Sequence, residues 1–190
     1  MNTIKTICFA ATAIIISLAG CKGNQANTIT PTQNGEVEII EYCTGADYNS
    51  DSKHFRATAT GESLSRETSK KMSRSNAESR LARSISATLS IVTDNYVNST
   101  NFNNKEEVTE TFNDMARTVV EQDLRGAIII CEKLTQKSDG NFVSYIAIEL
   151  SGEGIAQAYN ERLSKDERIM AEYNYENFKE TFEAEMNKLH

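Results

Sequence analysis

Proline, tryptophan and histidine are nearly missing from this 190-residue chain, which has one proline, no tryptophan and two histidines. The one proline, Pro31, stands near the start, so no later helix carries a proline break. His54 and His190 are too few for a zinc site built on histidine. A Ser-His-Asp relay would have to use His54, beside Lys53 and Arg56, and no nucleophile-elbow motif accompanies it. Gly152-Glu-Gly154 lacks the lysine and the longer glycine spacing of a phosphate loop. Positive charge is also short. The formal net charge is -7, which argues against a nucleic-acid binder. Neither a catalytic centre nor a cofactor is expected from these residues.

What is present begins at the N-terminus. Lys5 supplies a short basic region, and Ile7 to Leu18 form an apolar run of about twelve residues, too short for a membrane span but suited to a secretion signal. Leu18-Ala19-Gly20-Cys21 follows it. Small side chains beside a cut and a thiol for diacylglyceryl transfer are what a lipoprotein-processing site requires. The expectation is removal of residues 1–20 and lipidation of Cys21. Each buried methylene contributes about 0.8 kcal/mol, so two or more acyl chains such as palmitate anchor firmly. Lys22, not Asp, follows Cys21. Delivery to the outer membrane is therefore expected, on its periplasmic face or at the cell surface. Residues 21–35, rich in Asn, Thr, Gln and Gly, read as a flexible tether reaching on the order of 20 Å. Residues 36–190 read as one domain.

Four cysteines are thereby sorted. Cys8 leaves with the signal, Cys21 takes lipid, and Cys43 and Cys131 remain. The envelope permits a disulfide between them. Cys131 in an apolar strand also suits a buried free thiol, and spacing alone does not decide between the two.

Along the domain, Val37 to Tyr42 reads as a short edge strand and Tyr42 to Ser52 as a loop. Asp47-Tyr-Asn49-Ser-Asp51 matches the opening of a calcium loop, but Ser52 stands in place of the turn glycine and Thr58 in place of the bidentate glutamate. From His54 to Gly61 a strand alternates, with Phe55, Ala57, Ala59 and Gly61 on one small-residue face that would let a helix lie close. That helix is predicted from Arg66 to Asn98. Its first half is basic and Ser-rich, with Met72 as its only bulky apolar residue. Its second half is striped by Leu81, Ile85, Leu89, Val92 and Tyr96. Asn104 and Glu107 form a capping box for a second helix to Asp123. Residues 127–134 and 142–150 flank Asp139-Gly140 as a hairpin, and apolar groups on both faces of each strand predict a sheet covered on both sides. A helix over Gly152 to Leu163 and a last one started by a Ser164/Glu167 box complete the chain, the last striped by Ala171, Tyr175, Phe178, Phe182, Met186 and Leu189.

The fold class expected is α+β: a small, mainly antiparallel sheet in β-α-α-β-β order packed by long helices, with two C-terminal helices. Ala57-Thr-Ala-Thr-Gly-Glu-Ser, Asn76-Ala-Glu-Ser-Arg-Leu-Ala82, Cys131-Glu-Lys-Leu and Tyr145-Ile-Ala-Ile-Glu-Leu resemble segments of the twenty-kilodalton antigenic lipoprotein family of bacterial envelopes, in its Bacteroides-type versions. The resemblance implies a β-α-β-β core on a lipid anchor and no catalytic residue.

Two surface features remain. Arg66, Lys70 and Arg74 lie four apart on one side of the long helix, and the last helix is acidic. They read as solvated faces, paired with each other across the fold, or, for the basic row, as a patch for an acidic partner or lipid headgroups. The expected role is non-catalytic: structural or protein-interacting, with the membrane engaged through lipid on Cys21 and a second copy or another envelope protein as partner. The alternative is a carrier holding a small apolar or aromatic ligand between sheet and helices, near Tyr145 and Tyr159.

Overall fold

The computed structural model describes Ile39 and residues 41–189. The signal residues, Cys21 and the tether lie outside them. Of the expected strand Val37–Tyr42, the described residues Ile39, Glu41 and Tyr42 are not in a strand.

The elements run β1 (His54–Ser63), α1 (Arg66–Ser99), α2 (Lys105–Asp123), β2 (Ile128–Gln136), β3 (Phe142–Ser151), α3 (Gly152–Leu163) and α4 (Tyr175–Met186). The sheet has the order β1-β3-β2 and is antiparallel throughout. The architecture is α+β, in the expected element order.

β1 alternates as its sequence does. Phe55, Ala57, Ala59 and Gly61 are buried. Opposite them on β3 stand Leu150, Ile148, Ile146 and Ser144, so these eight residues share the face that receives α1. The small residues permit a close approach. A Cβ on Gly61 would strike the Ser69 carbonyl oxygen and come within 2.5 Å of the Ser73 backbone nitrogen. The buried hydroxyls of Ser69 and Ser73 donate to the carbonyls of Arg66 and Lys70 at 2.8 and 2.9 Å. The Ser73 and Ser144 hydroxyls meet at 2.9 Å. Serine here is a buried contact residue, which is why this half of α1 has almost no apolar stripe.

The other half of α1 does. Leu81, Ile85, Leu89, Val92 and Tyr96 are buried in one core with Phe112 and Val119 of α2, Ile155 and Tyr159 of α3, and Phe178 of α4. At 34 residues, α1 is about 50 Å long and joins the sheet to this helical end. Local capping sets the helix starts. Ser65 accepts from the Thr68 N–H, Asn104 from Glu107, Ser151 from Gly154 and Asn174 from Asn177.

The last cap corrects an expectation. Ser164 closes α3 rather than opening a new helix, and residues 165–174 are turns up to Asn174. Asp166 accepts from the Arg168 N–H and binds its guanidinium, giving the chain a local alternative to helix. Ile169 is then fully buried, while Ala171 is exposed. The Phe178, Phe182 and Met186 stripe is buried as expected, on a shorter helix.

The expected two-sided cover holds for only one of the two hairpin strands. β3 is central, with Val143, Ser144, Ile146, Ala147 and Ile148 buried. β2 is an edge strand, and Ile128, Ile129 and Leu134 are exposed at 58, 47 and 37%. The strand order, a non-local property, separates two sequences of similar composition.

Candidate functional site

The face of the sheet away from α1 carries a strap. Cys43 and Cys131 form a disulfide with Cα atoms 5.6 Å apart. It pins residues 41–45 to β2, and the Tyr42 ring meets Tyr145 of the neighbouring β3 edge-on with centroids 5.3 Å apart. The strap's far end is held by Arg56 on β1. The Arg56 guanidinium donates to Glu149 at 2.6 Å, to Asp51 at 2.7 Å and to the Asn49 carbonyl at 2.9 Å. Burial pushes the Asp51 carboxyl up, but the Lys53 and His54 N–H groups and the Arg56 guanidinium outweigh it and bring it down to about 2. Burial lowers the pKa of Arg56, and its two carboxylate partners more than reverse that. His54 stands over the same carboxylates, 3.4 Å from Asp51 and 3.9 Å from Glu149. These polar groups are spent on one another. The cluster is a clip, and the calcium-like stretch Asp47–Asp51 serves it through Asp51.

A groove of about 500 Å³ lies where the start of β1 meets α3 and α4. Ala156, Phe182 and Met186 lie toward its floor, and Lys53, Lys179, Glu153 and Glu183 stand around it. Lys179 lies 3.8 Å from Glu183. Gly152 closes one end, with its N–H on the Lys53 carbonyl at 2.8 Å and the Met186 terminal methyl packed over its Cα.

The pocket expected near Tyr145 and Tyr159 does not form. Tyr145 faces the strap, whereas Tyr159 lies in the helical core, donating to the Phe112 carbonyl at 2.7 Å with Thr93 at 3.1 Å. Burial pushes the Tyr159 hydroxyl's pKa well up, with the Thr93 contact opposing it. The hydroxyl is neutral and structural.

The three basic residues of α1 are brought together along one side but are already paired. Arg66 lies 3.2 Å from Glu67, Lys70 3.2 Å from Glu132 and Arg74 2.5 Å from Glu78. The acidic residues of α4 are not their partners. Glu183 pairs with Lys179, and Glu185 with Lys188. The basic row pairs within α1 and with β2 because α1 lays its basic half on the sheet and only its other half against α4.

The two sheet edges differ most. On β1, the Ser50 hydroxyl donates to the Arg56 carbonyl and accepts from the Arg56 N–H at 3.2 and 2.9 Å. Arg80 donates to the Thr58 carbonyl at 2.8 Å and Asn76 to Thr60 at 3.1 Å. On β2, among the described residues, no side chain bonds the backbone from Ile128 to Gln136; Arg74 reaches only the Ala127 carbonyl, at 3.2 Å. Sequence reading missed this edge. Its one signal was the Ile128-Ile-Ile130 run beside Glu132 and Lys133.

No protein-family model matches this chain, and no curated protein is similar enough to it to match. Among the described residues no group of three or more His, Cys, Asp or Glu could hold a metal ion, and no helix is long and apolar enough to cross a membrane.

Proposed function

We propose that this chain is an envelope lipoprotein of bacteria, anchored in the outer membrane by lipid on Cys21, whose folded domain has a non-catalytic interaction role. The Leu18-Ala-Gly-Cys21 stretch and the resemblance to the twenty-kilodalton antigenic lipoproteins support the anchor. The observation that carries the interaction role is the unequal treatment of the sheet edges. One is occupied by three side chains, while the other presents Ile128, Ile129 and Leu134 to solvent. An exposed edge with apolar side chains invites pairing, and chains that avoid pairing block such edges. The basic row Arg66, Lys70 and Arg74 runs along the same side of the domain, with Lys70 touching Glu132 of β2.

Two measurements test the reading. Cys21→Ser should move the protein out of the membrane fraction without changing its unfolding midpoint; a variant that still pellets in high salt and carbonate removes the anchor. Photo-cross-linkers scanned over the domain surface in intact envelopes should give discrete adducts. A surface with no adducts removes the interaction role.

The groove between β1, α3 and α4 favours a second reading, a carrier for a small ligand with an apolar body and a charged end. Native mass spectrometry of protein purified from its host would show a bound small mass, and ligand-free protein at every preparation would dismiss it.

A further inference from the structure

We infer that the open edge of β2 accepts an extended segment of a partner protein in which apolar and acidic residues alternate, adding it as a fourth strand. The inference rests on the interaction role proposed above and names its surface and the chemistry of its partner.

The edge offers apolar contact on both faces of the sheet. Ile129 and Leu134 lie opposite Ile148 and Ser144, on the α1 face, and Ile128 lies opposite Glu149 on the other. An incoming strand whose side chains alternate would meet apolar groups on either side. Charge selects among such strands. Lys70 and Arg74 stand beside β2 on the α1 face, and Lys133 lies on the opposite face across from Tyr145. Against them the strip has Glu132 and Glu78, already engaged by Lys70 and Arg74. On the α1 face these charges balance two against two, so the selecting charge is Lys133 on the opposite face, which has no ion-pair partner among the described residues and favours acidic over basic side chains on that face of an added strand.

The same residues argue against a second copy. The fullest antiparallel overlap of β2 with itself centres on Glu132, so the two-fold axis would set Glu132 against Glu132, a repulsive pair. Lys133 and the irregular register between Ile129 and Cys131 discourage indiscriminate pairing. They also set the condition for acceptance: a carboxylate near Lys133 and a regular partner beside Cys131–Gln136.

The test uses the full chain in detergent and three synthetic heptapeptides: acetyl-Thr-Val-Glu-Val-Glu-Val-Thr-amide, its counterpart with Lys for Glu, and the acidic peptide N-methylated at alternate backbone nitrogens. Hydrogen exchange and NMR shifts are read at the β2 amides. The acidic peptide should slow exchange at the outward amides of Ile128–Gln136. The methylated peptide, which cannot complete a ladder, should leave them unchanged. The lysine peptide should bind about tenfold more weakly or worse. Ile129→Lys and Lys133→Glu, both at exposed positions, should each weaken the acidic peptide about tenfold with the unfolding midpoint retained.

Four results would overturn the inference. They are no change at β2 with the acidic peptide, equal binding of the methylated one, outward β2 amides already protected in the free chain by its own residues before Glu41, and a dimer that Ile129→Lys disperses. If the peptides fail while envelope cross-links persist elsewhere on the domain, this inference falls and the interaction role stands. If both fail, both fall.

Discussion

The two ends of this domain are held together by different physics. At the sheet end, α1 lies close on small residues, and the contacts are hydroxyl pairs, an arginine clip and a disulfide. At the helical end, the same helix buries large side chains. Tyr96 meets Phe102, Phe112, Tyr173 and Phe178 with ring centroids 5.6 to 6.2 Å apart. One end relies on fit and cross-linking, the other on apolar volume. The small sheet explains the difference. Three strands, two of them edges, bury little apolar area on their own, so covalent and polar ties supplement it.

Four substitutions probe that contrast. The largest effect belongs to the helical end. Phe178→Ala empties the space between Tyr96, Tyr159 and Tyr173 and should cost about 3–5 kcal/mol in urea unfolding. A loss below 1 kcal/mol would mean that this end does not depend on apolar volume. At the sheet end, Cys43→Ser opens a link between residues 88 apart and should cost about 2–4 kcal/mol. Reductant should bring the unsubstituted protein to the same midpoint and leave the variant unchanged. Next comes Gly61→Ala, which drives a methyl group into the backbone of α1 and should cost about 1–3 kcal/mol. Hydrogen exchange should quicken in residues 66–77 before residues 81–97 respond.

The smallest effect is that of the clip. Asp51 is held at about 2 when folded, below its ordinary 3.8. A depressed carboxyl contributes stability that is complete above about pH 4 and is lost as pH falls through 2. Asp51→Asn should flatten the acid limb of the stability profile in that window. With the Asp51 side chain 36% exposed, solvent screening keeps the change under about 1 kcal/mol. An unchanged acid limb would assign the ties of the sheet end to the disulfide alone.

Much of the fold was legible because it is written in short periods. The alternation from Phe55 to Gly61, the stripe from Leu81 to Tyr96 and the Asn104 cap each depend on neighbours within a few residues, and each stands as read. The C-terminal stripe misled for the same reason. Apolar spacing continued through residues 164–174, while Asp166 and Asn174, both local hydrogen-bonders, broke the helix there. The serines at 69 and 73 belong to the half of α1 that carries no apolar stripe, yet they are buried where Gly61 lets that helix lie against the sheet. Of the surface features, the basic row on α1 was legible and its partners were not, since Glu132 comes from a strand sixty-two positions away in the chain.

By itself, the sequence determined the kind and order of the helices and strands from β1 to α4, the apolar face of β1 and the stripe on the second half of α1. It did so because periodicity and capping are properties of adjacent residues. Three matters were settled only by tertiary structure: that Cys43 reaches Cys131, that Tyr145 and Tyr159 lie on different sides of the sheet, and that β2 rather than β3 is, among the described residues, the strand at an open edge. Each depends on strand order and on the crossing of distant segments. Two apolar strands of a hairpin look alike until a third strand, β1, pairs with one and, among the described residues, leaves the other with a single neighbour.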